Sequence, residues 1–279
     1  MSHIEGTFPI GGHKSLFYQA WLPESRLKAV IVLVHGLADH SSRYANFVNY
    51  LVPRGFAIWS FDQRGHGQSP GVRCYINRFT DLTDDLGSFV NLVAERNPDY
   101  PLFIVGHSMG ALESAAFVAD HPQNIAGVAL SGVLLRTGQT VPRLLLSLAG
   151  VLSTLLPRLG VQYIECDTIS RDSSVVEAYL KDPLVYTGKI PARMGAELIN
   201  AMTATQANVT RVNLPVLLLH GAADHLADPS GSHLMYDTIT SKDKEIHLFP
   251  GCYHEIFNEP CHDFVLGTLC RWLDKHIPD

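Results

Sequence analysis

The chain is short of charge. Asp, Glu, Lys and Arg make up 17% of its 279 residues, with 21 basic against 27 acidic groups. No long basic patch stands out, which argues against nucleic acid as a partner. Its five cysteines (Cys74, Cys166, Cys252, Cys261, Cys270) are an odd number with no CxxC pair. That excludes a disulfide scaffold and reads as free thiols in a reducing compartment. No His/Cys/Asp group has metal-ligand spacing. His35, Asp39 and His40 are neighbours but lie in a loop with another task, so no metal and no cofactor is expected. No apolar run reaches the roughly 20 residues of a spanning helix. Leu144 to Leu156 comes closest, and Pro157 stops it. Met1 to Gly6 lacks the basic segment and apolar core of a signal peptide, so a cytoplasmic protein is expected. Neither a G-x-x-x-x-G-K-[ST] loop nor Rossmann spacing occurs, which disfavours nucleotide binding.

Apolar residues, at 46%, are plentiful. That suits one large domain with an inserted subdomain. Ala29–Val34, Ala57–Phe61, Leu102–Val105, Val128–Leu130 and Val216–Leu219 are almost purely apolar. Such runs fit strands buried on both faces of a largely parallel sheet. Leu16–Trp21 and Ile246–Phe249 are further strand candidates. Helical spacing places Tyr44, Phe47, Val48 and Leu51 on one face, and Leu82, Leu86, Phe89, Val90 and Val93 on another. The last helix spans His262–His276, with Phe264, Val265, Leu269 and Trp272 inward. Alternating strands and helices give an α/β class with helices on both faces.

From 131 to 214 that rhythm breaks. Leu144–Leu156, Ser173–Leu180 and Ala192–Ala204 read as helices of an insertion, because an 80-residue loop would be anomalous in a compact domain. The core is then residues 1–130 and 215–279. Apolar faces of the insertion could pack on the core, wall a tunnel or touch a membrane.

Gly106-His107-Ser108-Met109-Gly110 sits between a strand and a helix, where a serine becomes a nucleophile. Alone it could be a glycine-rich turn with a capping serine. A serine nucleophile needs a base, and the base needs an orienting acid. Asp224 follows the strand ending at Leu219, with Asp228 an equal candidate in isolation. His254 follows the last strand. His35-Gly36-Leu37 follows Ala29–Val34, so the N–H groups of Leu37 and Met109 form a candidate oxyanion hole. Asp62-Gln63-Arg64-Gly65-His66-Gly67-Gln68-Ser69 is a turn whose charges could pair internally and order the floor of the site.

Together, the segments His35 to Tyr44, Phe61 to Ser69, Gly106 to Gly110 and Gly221 to Asp224, with His254, closely resemble the monoacylglycerol lipase and lysophospholipase-like family of the α/β-hydrolase superfamily. Leu155-Leu156-Pro157 and Asp182-Pro183-Leu184 extend the likeness into the insertion. The resemblance implies a mostly parallel eight-stranded sheet flanked by helices, with residues 131–214 as a helical cap over one acyl tunnel. It implies hydrolysis of a monoacylglycerol to glycerol and fatty acid by Ser108, Asp224 and His254. Asp39 and Arg43 stand where the family has a glutamate and an arginine near the polar end of the pocket. A broad carboxylesterase or lysophospholipase is the neighbouring expectation, and a non-catalytic binding protein of the same fold the different one. The partner is a lipid ester, with transient contact to a membrane or micelle through helix 144–156. No obligate protein partner is evident.

Overall fold

The computed structural model describes residues 1–12, 14–138 and 143–277; the side chains of Leu144, Leu145 and Leu146, part of the helix foreseen as lipid-facing, lie outside the described residues. Eight strands form one sheet. In chain order they are β1 (Ser2–Ile10), β2 (Lys14–Leu22), β3 (Ala29–Val34), β4 (Phe56–Phe61), β5 (Leu102–His107), β6 (Gly127–Ser131), β9 (Val216–Gly221) and β10 (Lys244–Phe249). They lie side by side as β1-β2-β4-β3-β5-β6-β9-β10. Only the β1–β2 and β2–β4 pairings are antiparallel. Every residue of β3 to β6 and of β9 is buried, as expected for strands covered on both faces.

The register aligns the strand ends. Val34 pairs Gly106, His107 pairs Ser131, Ser131 pairs Leu219, and Phe249 pairs Gly221. The loops after β3, β5, β6, β9 and β10 therefore open along one edge. β3 has β4 on one side and β5 on the other, so the winding reverses there, and such a switch point leaves a crevice at the carboxyl ends of the strands.

On one face lie α1 (Ala45–Leu51) and α8 (His262–Lys275), packing Phe47, Leu51, Leu266 and Trp272 against Ile31, Phe103 and Leu217. The other face carries α2 (Thr80–Arg96) and α3 (Met109–Asp120), which pack Leu86, Phe89, Leu112 and Val118 on Val32 and Ile104. One expectation fails. Phe264 points outward and is 66% exposed. The inward stripe of α8 is Val265, Leu266, Leu269, Trp272 and Leu273, and Phe264 precedes it by about 100° of helical rotation. Its ring meets the edge of Phe249 instead, at 6.0 Å.

Between β6 and β9 lies the inserted cap. It comprises α4 (Arg143–Leu155), β7 (Gly160–Gln162), α5 (Ser173–Lys181), β8 (Ile190–Pro191) and α6 (Ala192–Asn208), with β7 and β8 paired antiparallel. The α6 helix buries Met194, Leu198 and Met202 toward the same core layer as α3. On α4, Val151 and Leu155 stand 56% and 72% exposed.

One buried group works against the fold. Glu113, on α3, is fully buried, and among the described residues neither carboxylate oxygen has a hydrogen-bond partner. Burial, then repulsion from Asp85, pushes its carboxyl well above the usual range. An unfolded glutamate releases its proton near its ordinary value while the folded one keeps it, so this group erodes stability as pH rises above that value. Glu113→Gln is therefore expected to stabilise the protein at neutral pH by about 1–3 kcal/mol, with a gain that shrinks in acid. Urea unfolding across pH measures this. A gain independent of pH, or none, would contradict it.

Candidate active site

Ser108 occupies the one-residue elbow between β5 and α3, with φ 56° and ψ −117°. A non-glycine residue with positive φ is strained, and such strain clusters at functional sites. The glycines on either side permit the turn. A Cβ on Gly106 would collide with the backbone of Gly110, and one on Gly110 with the carbonyls of Val34 and His35. The elbow is tied to the sheet because Ser108 N–H donates to the Ser131 carbonyl at 2.8 Å.

Asp224 and His254 come together as the sequence predicts. Asp224 follows β9, His254 follows β10, and Asp224 Oδ2 accepts from His254 Nδ1 at 2.6 Å. Asp228, the rival acid, is turned away and caps the start of α7 (Ser230–Thr238), accepting from Ser230 N–H at 2.8 Å. Asp224 Oδ1 accepts from the N–H groups of Leu226 and Ala227, at 2.8 and 3.0 Å. A further partner is one that sequence reasoning missed. His220 Nε2 lies 3.1 Å from Asp224 Oδ2 and 3.2 Å from the Ala227 carbonyl. Both are acceptors, so Nε2 carries the proton, and in the neutral ring Nδ1 accepts from Ser232 Oγ at 2.7 Å. His220 is the penultimate residue of β9, four before Asp224; that spacing was its only signal.

Burial disfavours charge on Asp224, but His254 and the hydrogen bond from His220 outweigh it, and the carboxyl is held far below its usual range. His254 is opposed by burial too, yet Asp224, then Glu255 and Asp39, raise it above the ordinary histidine value. The neighbouring His107 ring, 4.8 Å from that of His254, goes the other way. Burial and the charge of His254 push it down to about 3, so it stays neutral. Ser108 and His254 line one cavity. Among the described residues no hydrogen bond joins Ser108 Oγ to the imidazole.

The loop after β3 presses against the serine. A Cβ on Gly36 would lie 3.3 Å from Ser108 Cβ. Among the described residues, neither Leu37 N–H nor Met109 N–H donates to another protein group, and the first N–H groups of a helix have no partner within it. Two unused donors thus flank Ser108. His35 holds their loop. Its Nδ1 meets the Gly36 carbonyl at 2.8 Å, and its Nε2 accepts from Gln63 N–H at 2.9 Å. Gln63 Nε2 donates back to the His35 carbonyl at 2.6 Å. The 62–69 turn therefore braces the site floor, although its charges do not pair internally. Arg64 reaches Asp85 on α2 at 2.6 Å, and Asp62 accepts from Ser41 N–H and Oγ at 2.8 and 2.6 Å.

Asp39 and Arg43 are buried in one network. Asp39 accepts from Arg43 Nη1 at 2.9 Å and from Tyr44 OH at 2.8 Å. Arg43 also grips Glu255 through two hydrogen bonds of 2.8 Å and stacks on Tyr179, 4.5 Å from its ring centre. Burial opposes the Asp39 charge, but Arg43 dominates and keeps the carboxyl ionised. Asp39 and Glu255 face the cavity with Ser108, whereas Arg43 stands behind them. Cap side chains, including Leu152, Ile164, Ile190, Leu198 and Met202, form the other walls.

The fold and this site define a serine hydrolase of the α/β-hydrolase class. The family described as serine aminopeptidase, S33 (Hydrolase_4) matches residues 25–261, and the chain belongs to it. Its relatives include a monoacylglycerol lipase of Mycolicibacterium smegmatis, 33% identical over 98% of each chain. The monoglyceride lipase of Rattus norvegicus is 33% identical over 94% of this chain and 88% of its own. Among solved structures, the monoacylglycerol lipase of Paleococcus ferrophilus superposes with a TM-score of 0.85 at 31% identity, covering 94% of this chain and 99% of that one. The chain is thus an ester-hydrolase relative of the monoacylglycerol lipases.

A base must be neutral to accept the Ser108 proton. Hydrolysis is therefore expected to be full above the His254 ionisation and to fall as pH drops through it. Since Asp224 raises that ionisation, Asp224→Asn should shift the acid limb of kcat/KM to lower pH and lower kcat by about 10⁴. An acid limb left in place would sink the assignment.

Proposed function

We propose that this enzyme cleaves monoacylglycerols to glycerol and fatty acid through an acyl-enzyme. The observation that carries the reading is the cavity itself: a mostly apolar chamber walled by the cap, with Ser108, His254, Asp39 and Glu255 in its lining and a few neutral polar side chains, such as Gln162 and Tyr163 of the cap, among its walls. An acyl chain in such a chamber gains about 0.8 kcal/mol per buried methylene. The polar end leaves carboxylate oxygens to accept from a glycerol hydroxyl.

In this reading Ser108 is the nucleophile, His254 the base and Asp224 the acid. His254 takes the Ser108 proton as Oγ attacks the ester carbonyl. The N–H groups of Leu37 and Met109 receive the oxyanion. Each such donor contributes about 3 kcal/mol to the transition state. The charged imidazole, held by Asp224, then protonates the leaving glycerol oxygen. Water, deprotonated by His254, releases the fatty acid. Asp39 and Arg43 act at the glycerol end, Asp39 as acceptor and Arg43 by fixing Asp39 and Glu255. No cofactor enters these steps.

The cap, set at residues 131–214 between core segments 1–130 and 215–279, also serves as the lipid-facing side of a cytoplasmic enzyme. No helix among the described residues is long and apolar enough to cross a membrane. Leu148, Val151, Leu155, Leu156 and Leu159 are nonetheless exposed together on α4 and the turn after it, and clustered exposed apolar residues mark contact surfaces. Val151→Ser with Leu155→Ser should reduce co-sedimentation with phospholipid vesicles while sparing hydrolysis of a water-soluble ester. Unchanged co-sedimentation would remove the membrane role.

The substrate is tested by kcat/KM on monoacylglycerols of graded chain length, lysophospholipids and p-nitrophenyl esters. Medium or long monoacylglycerols should lead, with a gain of up to about fourfold per methylene until the chamber is full. A preference for short simple esters would instead mark a broad carboxylesterase, and one for lysophospholipids a lysophospholipase. Ser108→Ala should abolish both turnover and labelling by a fluorophosphonate. Turnover surviving in that variant would refute the mechanism.

A further inference from the structure

Two thiols meet beside the reaction centre. Cys252 lies in the turn after β10, two residues before His254, and Cys261 is the N-cap residue of α8. Their Sγ atoms are 2.7 Å apart, inside the nonbonded contact distance of two sulfurs and outside the ~2.05 Å of a disulfide. Cys252 is buried in the apolar layer beneath α1 and α8, and Cys261 is half-buried at its margin. Arg171, from the cap just before α5, lays Nη2 against both, 3.6 Å from Cys252 Sγ and 4.0 Å from Cys261 Sγ.

Glu259 completes a compact group with the two sulfurs, which raises the question of a cation site. Its oxygens are already engaged. Oε1 accepts from the N–H groups of Arg171 and Tyr253 at 3.1 and 2.9 Å, and Oε2 accepts from Arg171 Nε at 2.7 Å. A metal ion would have to displace a guanidinium that touches all three residues. The arrangement suits sulfur–sulfur chemistry better.

We propose that Cys252 and Cys261 form a reversible disulfide under peroxide, stapling the loop that carries His254 to the start of α8. An accessible thiol is the one oxidised, and Cys261 is the more exposed of the two. Its thiolate attacks hydrogen peroxide, the O–O bond breaks, and Cys261 becomes a sulfenic acid while hydroxide leaves and takes up the thiol's proton as water. Burial lifts the Cys252 thiol to about 12, so it waits as a neutral thiol. Cys252 sulfur then attacks the sulfenic sulfur, and the sulfenic hydroxyl departs with the Cys252 proton as a second water. Two thiols are oxidised and one peroxide is reduced. A thiol reductant reverses the step by exchange.

The staple closes a short loop that holds His254, Glu255 and Glu259. It removes unfolded-state freedom at the segment whose order the candidate base requires. The effect is on the endurance of the site, and it holds whichever ester the enzyme prefers.

The test uses the full chain, reduced, then treated with a small excess of hydrogen peroxide. Thiol titration, intact mass and peptide mapping are followed with thermal unfolding. Two of the five thiols should disappear with the loss of two hydrogens, in one peptide linking Cys252 to Cys261, and dithiothreitol should restore them. The unfolding midpoint should rise by about 5 °C. Cys261→Ser, at the half-buried position, should hydrolyse ester normally and show neither change. The proposal is overturned if all five thiols survive, if other cysteines are linked, or if oxidation stops at an oxygenated Cys261. It is equally overturned if the link forms without shifting the midpoint. A metal ion shielding both thiols from peroxide until a chelator removes it would overturn it as well.

Discussion

The site depends on a single backbone constraint, the positive φ of Ser108. A residue in that conformation is disfavoured by about 1–3 kcal/mol, and only surrounding structure can hold it. Here β5 is buried along its whole length, and α3 is buried on most of its surface. Neither can shift to relieve the turn. Gly106 and Gly110 let strand, elbow and helix approach more closely than any side chain would allow. Everything else follows from where that turn points. It presents Oγ at the carboxyl edge of the sheet, and it starts a helix at Met109, whose N–H has no helical partner. It also faces the Gly36 loop across the crevice between β3 and β5.

Around this elbow the protein distributes buried charge unequally. Two carboxylates near the cavity serve different masters. Asp224 is given to imidazoles and backbone N–H groups, while Asp39 is given to Arg43. Glu255 shares the same arginine, so three charged groups near the serine sum to a residual negative charge that supports an imidazolium at His254. His107 lies against that ring but is driven neutral by its own burial. One of two adjacent histidines is thereby reserved for the proton. The cap joins in through His40, whose Nε2 meets Asp182 at 2.9 Å, and through Tyr186 N–H, which donates to the Ala38 carbonyl at 3.0 Å. Walls and oxyanion loop are thus positioned by shared contacts.

Strands buried on both faces were plain in the sequence because nothing else explains runs such as Ala29–Val34. The serine and the acid were legible because each follows such a run, and the histidine because it follows the last strand candidate, the half-buried β10. What escaped was whatever leaves a weak apolar imprint. The β1 strand buries only Phe8 and Ile10 at the sheet edge. The short α7 helix turns just Gly231, Ser232 and Met235 inward. His220 was invisible as a partner of Asp224 because it looks like the last apolar-flanked residue of a strand. Glu255 carries no sequence signal of its own, since a lone glutamate beside a histidine has no pattern that marks it as buried. Only the fold brings Arg43 across from the start of α1 to meet it. Long-range pairing of this kind has no local signature.

The chemistry of that pairing bears on which bond the enzyme meets. The family carries the description of an aminopeptidase, and an exopeptidase of that kind must hold a substrate ammonium with an unengaged carboxylate. Both acids in this cavity are already engaged by Arg43. Glu255 is bound through two parallel hydrogen bonds to Arg43 and accepts another from Asn258. Asp39 takes Arg43, Tyr44 and the His40 N–H. An ammonium would have to compete with a guanidinium in its preferred forked geometry, inside a low-dielectric site where breaking such a pair typically costs about 3–5 kcal/mol. A neutral hydroxyl faces no such contest, since it needs only a spare lone pair on an oxygen that stays paired. The mostly apolar cap walls favour the same outcome, because they reward an alkyl chain and offer few partners to a peptide's N–H and C=O groups. Among the chemistries open to a serine hydrolase, this engagement of both carboxylates by one arginine favours an uncharged ester over a free amino terminus.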